Sequence, residues 1–426
     1  MTETINKAVH LLDSWLNSMR HPMGYSGPVS HWWESSLVFT GPMIDWRYEG
    51  ILAGYVQLFQ TTNNTYWLDQ AIQAGEDIRK SQLPDGRYWN SSFQIGALEG
   101  GTPHEAAVNV GLLELATALK DAGDDRWETY FAVAQRNIED YHFKRLWNGT
   151  RFLDQAWNKT TVANKNATIM EFLLLYEALT GRSMQEYFDG IVPLIDTAQV
   201  QDESHPAYGG IVHLGTHHHK LAIGIYTARV ASALVRLYQH HPDEAYLKRA
   251  QKMGAFLVKL VSPEDRGSYM GYYADGTLIK CPSWVSPSGD ILRTFAMLKP
   301  YGTVTDEHIN RLVQILLSEQ LSTGGMPTAY GLGQKGGVTS PLKLPDFRDI
   351  LPVVGWIDKT FRGLAMLVES PIDRTQQTQA VEIPCTWQGK TCVYVEDDTS
   401  MSLLQDNRQV IYKWQKGTHF PEIYAL

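Results

Sequence analysis

Two kinds of helical pattern alternate along the chain. In the first, apolar residues recur at helical spacing on one face only; this predicts amphipathic helices over residues 5–19, 66–81, 126–141, 184–198, 245–261 and 306–319. In the second, the segment is apolar nearly all round and rich in small residues. That pattern predicts helices over 46–60, 104–119, 168–179, 217–238, 288–298 and 356–368. A helix apolar on every side must be packed on every side, so the second set belongs inside and the first outside.

The connectors alternate as well. Links from an inner helix to the next outer one are short and polar (TTNNTYWLD, DAGDDRWET, QHHPDEAYL), whereas links from an outer helix to the next inner one are long and hold the glycines, prolines and aromatics (QDESHPAYGGIVHLGT, QLSTGGMPTAYGLGQKGG). The unit repeats roughly every 50 to 70 residues, six times. Six helical hairpins of this kind form two concentric rings in which every inner helix runs the same way. The six inner N-termini then open on one face, beneath the long loops, where function usually sits.

The hairpin period and the links LLYEALTGRSMQEYFDG and LFQTTNNTYWLDQAIQAGEDI resemble the six-hairpin (α/α)6 toroid superfamily, over about residues 1–370. That superfamily includes glycoside hydrolases, unsaturated-uronyl hydrolases, polysaccharide lyases and N-acylglucosamine epimerases, and more distantly terpene cyclases. The resemblance implies an all-α toroid with a catalytic mouth. It is architectural, because the chain lacks a lanthionine-cyclase zinc signature, a DxDD motif and the NNHSYW of toroid-type alginate lyases. After Pro371 the pattern stops, and residues 371–426 read as a linker, a β-hairpin turning at Gln388, Gly389 and Lys390 with Cys385 and Cys392 near its base, and an aromatic tail expected to dock on the toroid.

Composition narrows the role. The hydrophobic content is 43% with 13 Trp and 21 Tyr, and a net charge of −9 is spread without basic blocks, which excludes a nucleic-acid or polybasic membrane role. No apolar run approaches the ~20 residues of a membrane span, and the start lacks a signal peptide's pattern, so a soluble cytoplasmic protein is expected. The N-x-S/T triplets at Asn63, Asn90, Asn148, Asn158 and Asn166, with Cys385 and Cys392, fit a mature secreted form as the alternative.

The inner N-termini bring together a polar ring. Asp45, Glu49, Glu105, Asp290, His104, His213 and His217 are the candidates for acid/base catalysis. Glu171 sits a turn into an apolar helix, where a carboxylate needs a partner. Trp33, Arg47, Tyr48, Asn109, Tyr208, His219, Trp284, Arg293, Trp356 and Asp358 are the candidates for substrate contact, the aromatics by stacking on sugar faces. Carboxylates in first turns also serve as caps, so Asp45, Asp290 and Asp358 have a structural role open to them. His213 and His217 have the spacing of a zinc pair, but Gly215 between them points to a turn and no third ligand has matching spacing, so no metal is expected. The glycine-rich segments lack a phosphate-loop context, and no cofactor is expected. An enzyme acting on an oligosaccharide or polysaccharide follows, foremost a glycoside hydrolase with paired carboxylates. A uronate polysaccharide lyase with a His or Tyr base, a sugar epimerase, a cyclase and a non-catalytic glycan-binding ring are the alternatives.

Overall fold

A computed structural model describes residues 2–29, 38–41, 44–91, 101–102, 104–213, 221–261, 266–332, 344–418 and 422–423. The inner helices are α2 (Arg47–Thr62), α4 (His104–Asp121), α6 (Ala163–Thr180), α8 (Gly224–His240), α10 (Ser288–Leu298) and α12 (Ile357–Ala365). The outer ones are α1 (Thr2–Ser18), α3 (Thr65–Ser81), α5 (Trp127–Asn137), α7 (Gln185–Ala198), α9 (Glu244–Leu260) and α11 (Asp306–Glu319). Each inner helix packs on the next, α12 packs back on α2, and the ring is closed. Hairpins α2–α3, α4–α5, α6–α7, α8–α9 and α10–α11 follow chain order, and the sixth pairs α12 with α1.

The sequence explains the tight ends. Asn63 takes a left-handed conformation (φ 51°) that ends α2, and Asn64 at once caps α3 by accepting from the Tyr66 N–H, so two residues reverse the chain. Asp243 caps α9 in the same way through the Ala245 N–H, and Gly181 ends α6 at φ 70°. At the other face, short strands stitch neighbouring long loops. Ala222–Ile223 pairs with Gly271–Tyr272, and Ser283–Trp284 pairs with Ala329–Tyr330.

Three expectations change. Helix α8 begins at Gly224, seven residues after His217, because Ala222–Ile223 is held as a strand and the Gly224 N–H donates to the Met270 carbonyl. Helix α5 runs on as a π-helix, Ile138–Leu146. The C-terminal region is a five-stranded antiparallel meander, larger than one hairpin: β1 (Val381–Trp387), β2 (Lys390–Glu396), β3 (Ser400–Gln405), β4 (Val410–Gln415) and β5 (Glu422–Ile423). The expected turn joins β1 to β2, with Gln388 and Gly389 both at positive φ, and it sets Cys385 opposite Cys392 as buried free thiols. Glu396 of β2 anchors the sheet to the toroid by accepting from Trp15 Nε1 of α1 at 2.8 Å.

Among the described residues no helix is long and apolar enough to cross a membrane. Of the five N-x-S/T asparagines, Asn90 and Asn166 are buried and hydrogen-bonded, so a folded chain does not offer them for glycosylation.

Candidate active site

The long-loop mouth is built from the residues just before and just inside the inner helices. Asp45 and Arg47 flank the first turn of α2. Arg47 Nε donates to Asp45 Oδ1 at 2.7 Å, and the Ser91 hydroxyl donates to the other carboxylate oxygen. Both residues are fully buried. Burial works against the Asp45 charge, but Arg47, His104 and Ser91 outweigh it and hold its carboxyl below the usual range.

Between them, Trp46 donates from Nε1 to the Gly355 carbonyl at 3.0 Å, which fixes its ring. Four rings then follow the rim from α4 to α10. His104 stacks on Trp46 with centroids 5.1 Å apart and planes within 5°, Trp46 meets Trp356 at 5.1 Å, and Trp356 meets Trp284 at 6.3 Å. His104 is buried, and neither of its ring nitrogens has a hydrogen-bond partner among the described residues. Burial pushes its pKa down to about 4 despite nearby Asp45, so the imidazole is neutral at ordinary pH.

Glu105, the next residue, turns away from that row into a closed network. Its carboxylate accepts from Asn90 Nδ2 at 2.9 Å, from Asn137 Nδ2 at 2.5 Å and from the Tyr88 N–H at 3.3 Å. Burial pushes its pKa up to about 7. Asn109 belongs to the same network, accepting from the Tyr88 hydroxyl at 2.8 Å and donating to Asn137 at 2.7 Å. These bonds hold the 88–91 segment, whose Ser91 in turn holds Asp45.

Below the rim the axis of the toroid is filled by ion pairs. Glu49 of α2 meets Arg229 of α8 in a two-pronged pair, Arg362 of α12 at 2.6 Å and Lys359 at 3.4 Å. Glu171 of α6 meets Arg293 of α10 at 3.0 and 2.7 Å and Arg229 at 3.5 Å. Asp290 accepts from Arg362 at 2.5 Å. Burial opposes ionisation of both glutamates, but the arginines prevail: Glu49 lies well below its usual range and Glu171 falls to about 2. Asp358, ion-paired with Lys359 at 2.9 Å, is pushed up to about 7 by burial.

Of the residues singled out from sequence, the rim thus unites Asp45, Arg47, His104, Trp284 and Trp356. The axis holds Glu49, Asp290, Arg293 and Asp358. Tyr48 points outward, its hydroxyl donating to Asp77 of α3 at 3.1 Å, and Tyr208 lies at the periphery under Lys252 of α9. His213 is buried on the α8 side, its ring 4.7 Å from Tyr226. Trp33, His217 and His219 lie outside the described residues. Sequence reasoning passed over Ser91, Asn90, Asn137, Arg229 and Arg236. For the two arginines the signal was present: they are charges inside an otherwise apolar helix, which demands buried partners.

No sequence-family model matches the chain, and no curated protein matches it in sequence. Solved structures do. A cellobiose 2-epimerase from Bacillus thermoamylovorans B4167 superposes with a TM-score of 0.64 at 10% identity, over 87% of this chain and 100% of that one. A D-mannose isomerase gives 0.61 at 12%, over 85% and 97%. A glycosyl hydrolase of family 88 from Bacteroides vulgatus gives 0.57 at 13%, over 86% and 99%. At such identities the likeness speaks to architecture alone, and on that ground the chain is a six-hairpin (α/α)6 toroid, the fold of these carbohydrate-active enzymes.

Proposed function

We propose that the protein is a carbohydrate-active enzyme that works at the long-loop mouth, with His104 moving a proton at a sugar carbon. The observation that carries this reading is the state of His104: neutral, fixed by stacking on Trp46, beside an ionised Asp45, and with neither ring nitrogen hydrogen-bonded among the described residues. Glu49, Glu171 and Asp290 are each occupied by arginines, and Glu105 is enclosed by amides, so among the described residues the imidazole is a rim group with proton-accepting capacity to offer. Removal of a proton from a carbon next to a carbonyl or carboxylate begins both sugar isomerisation or epimerisation and uronate β-elimination. Trp46 and Trp356, each slightly exposed, would support a sugar face beside that base, with the fully buried Trp284 packed behind them. Cellobiose 2-epimerase and mannose isomerase share the toroid, which accords with the first of these reactions.

A second reading, a glycoside hydrolase, draws on Asp45 and Glu105. Their environments displace them in opposite directions, one downward and one up to about 7, as a base and an acid require, and adjacent residues, Ser91 and Asn90, hold them.

One experiment separates the readings. The protein is incubated in D2O with neutral oligosaccharides, monosaccharides and uronate glycans, followed by NMR for deuterium entering a C–H position, by absorbance for unsaturated uronyl product and by assay for new reducing ends. Deuterium at a sugar carbon, or unsaturated product, supports His104 as the base. New reducing ends with neither signal support the hydrolase. No change in any substrate would overturn both.

A further inference from the structure

The toroid has a second opening. On the short-connector face, opposite the mouth, a cavity of about 360 Å³ runs in along the axis between the C-terminal halves of α2, α8, α10 and α12. Its size falls within the roughly 300–1,000 Å³ of small-molecule sites. Its walls include Arg236, Arg293 and Arg362, with Glu114 as the one carboxylate among the lining residues. Gln57 and Gln239 add amides nearer the opening.

Two of the three arginines are satisfied mainly from the mouth side. Arg293 is paired with Glu171, and Arg362 with Glu49 and Asp290. What remains is turned elsewhere. Arg362 is 3% exposed, yet its Nε has no hydrogen-bond partner among the described residues. Arg236 gives one terminal nitrogen to Glu114 at 2.5 Å, while its other lies 3.8 Å from Glu171, too far for a hydrogen bond. Glu171 is paired with Arg293 and lies at 3.5 and 3.8 Å from Arg229 and Arg236, whose closer partners are Glu49 and Glu114. The negative ends of the inner-helix dipoles face this opening, but that influence fades within the last turn, and Arg236 and Arg293 lie further in on their helices, while Arg362 lies in the last turn of the short α12.

We infer that this cavity is a second ligand site, distinct from the mouth, that binds a small hydroxylated oxyanion, with the carboxylate or phosphate on Arg236 and Arg362 and the hydroxyls on Gln57 and Gln239. Sugar acids and sugar phosphates share that chemistry. The inference does not depend on which reaction the mouth performs.

Calorimetric titration of the full chain with D-glucuronate, glucose 6-phosphate, neutral glucose and inorganic phosphate tests it. Expected is saturable binding of at least one sugar anion, at least tenfold tighter than glucose or inorganic phosphate, and weakened by raising NaCl. Arg236→Gln and Gln57→Trp, each checked for folding by circular dichroism, are expected to weaken it at least tenfold, and His104→Ala to leave it unchanged. The sugar anion that binds identifies the source. The inference is overturned by an absence of saturable binding to either sugar anion, by equal affinity for glucose or inorganic phosphate, or by binding that His104→Ala abolishes while both cavity variants retain it.

Discussion

The imidazole of His104 and the indole of Trp46 lie parallel within 5°, 5.1 Å apart, although 58 positions separate them in the chain. Stacking fixes the plane of the imidazole without using either nitrogen. If His104 is the proton-transfer group, His104→Ala lowers kcat by about 10²–10⁴-fold, and Trp46→Leu lowers it less while raising KM, because the base is left in place but loses its orientation and the sugar its platform. Steady-state kinetics on whichever substrate the D2O screen identifies, with circular dichroism on both variants, checks this.

On the axis, the carboxylates of Glu49 and Glu171 have no access to water. Removing one carboxylate strands several arginines. Glu49→Gln or Glu171→Gln is expected to cost about 3–5 kcal/mol of folding stability, the range for breaking a buried pair on one side only. Denaturant unfolding followed by fluorescence measures it. Unchanged stability in both variants would mean that the arginines find other partners.

Two buried histidines contribute to the loss of stability in acid. His142, packed between Phe152 and Phe172, is pushed by burial down to about 3, and His104 to about 4. The unfolded chain binds a proton at each below about 6.5, while the folded chain does so only near these lower values. Their contribution is therefore present above pH 6.5 and lost as pH falls from there towards 3. Glu105 acts in the opposite sense: held at about 7 against an ordinary 4.5, its contribution is present below 4.5 and lost as pH rises through 7. His142→Phe is expected to flatten the acid loss between pH 6 and 4 by up to about 1.4 kcal/mol per pH unit, the effect of one proton. Unfolding curves at stepped pH would show it, and an unaltered slope would contradict it.

Two glycines let α12 approach its neighbours. A Cβ on Gly50 would lie 2.4 Å from the Asp358 carbonyl oxygen, and one on Gly289 would lie 2.1 Å from the Lys359 carbonyl. Because both obstacles are backbone, neither yields by a rotamer change. Gly50→Ala and Gly289→Ala are each expected to destabilise by at least about 3 kcal/mol, at or beyond the upper end for overpacking. Thermal melts decide the point.

The twelve helices were legible because inner and outer positions impose different patterns, apolar all round against apolar on one face. The start of α8 was not legible. HHHKLAIG continues the composition of the helix, and what delays its start to Gly224 is the pairing of Ala222–Ile223 with Gly271–Tyr272, some 48 positions away. The C-terminal meander was half legible: the Gln388–Gly389 turn has its own local signature, whereas β3 and β4 are only six residues each. At the site, residue types pointed to the ring of charges, and Asp45, His104, Glu49, Arg293 and Asp358 were named from position alone. Sequence cannot say which carboxylate an arginine will choose. That Glu49 takes Arg229 and Arg362 depends on helices 180 and 313 positions away.

The pairing of α12 with α1 bears on how the molecule is made. Five hairpins can form as they leave the ribosome, each from adjacent sequence. The sixth cannot, since its outer half is synthesised first and its inner half only after position 357. Until then α2 lacks one neighbour, Glu49 lacks Arg362 and Lys359, and Trp46 lacks Trp356. The mouth and the axis therefore mature together in a single late step, and a growing chain carries an open, incompletely neutralised ring for most of its synthesis.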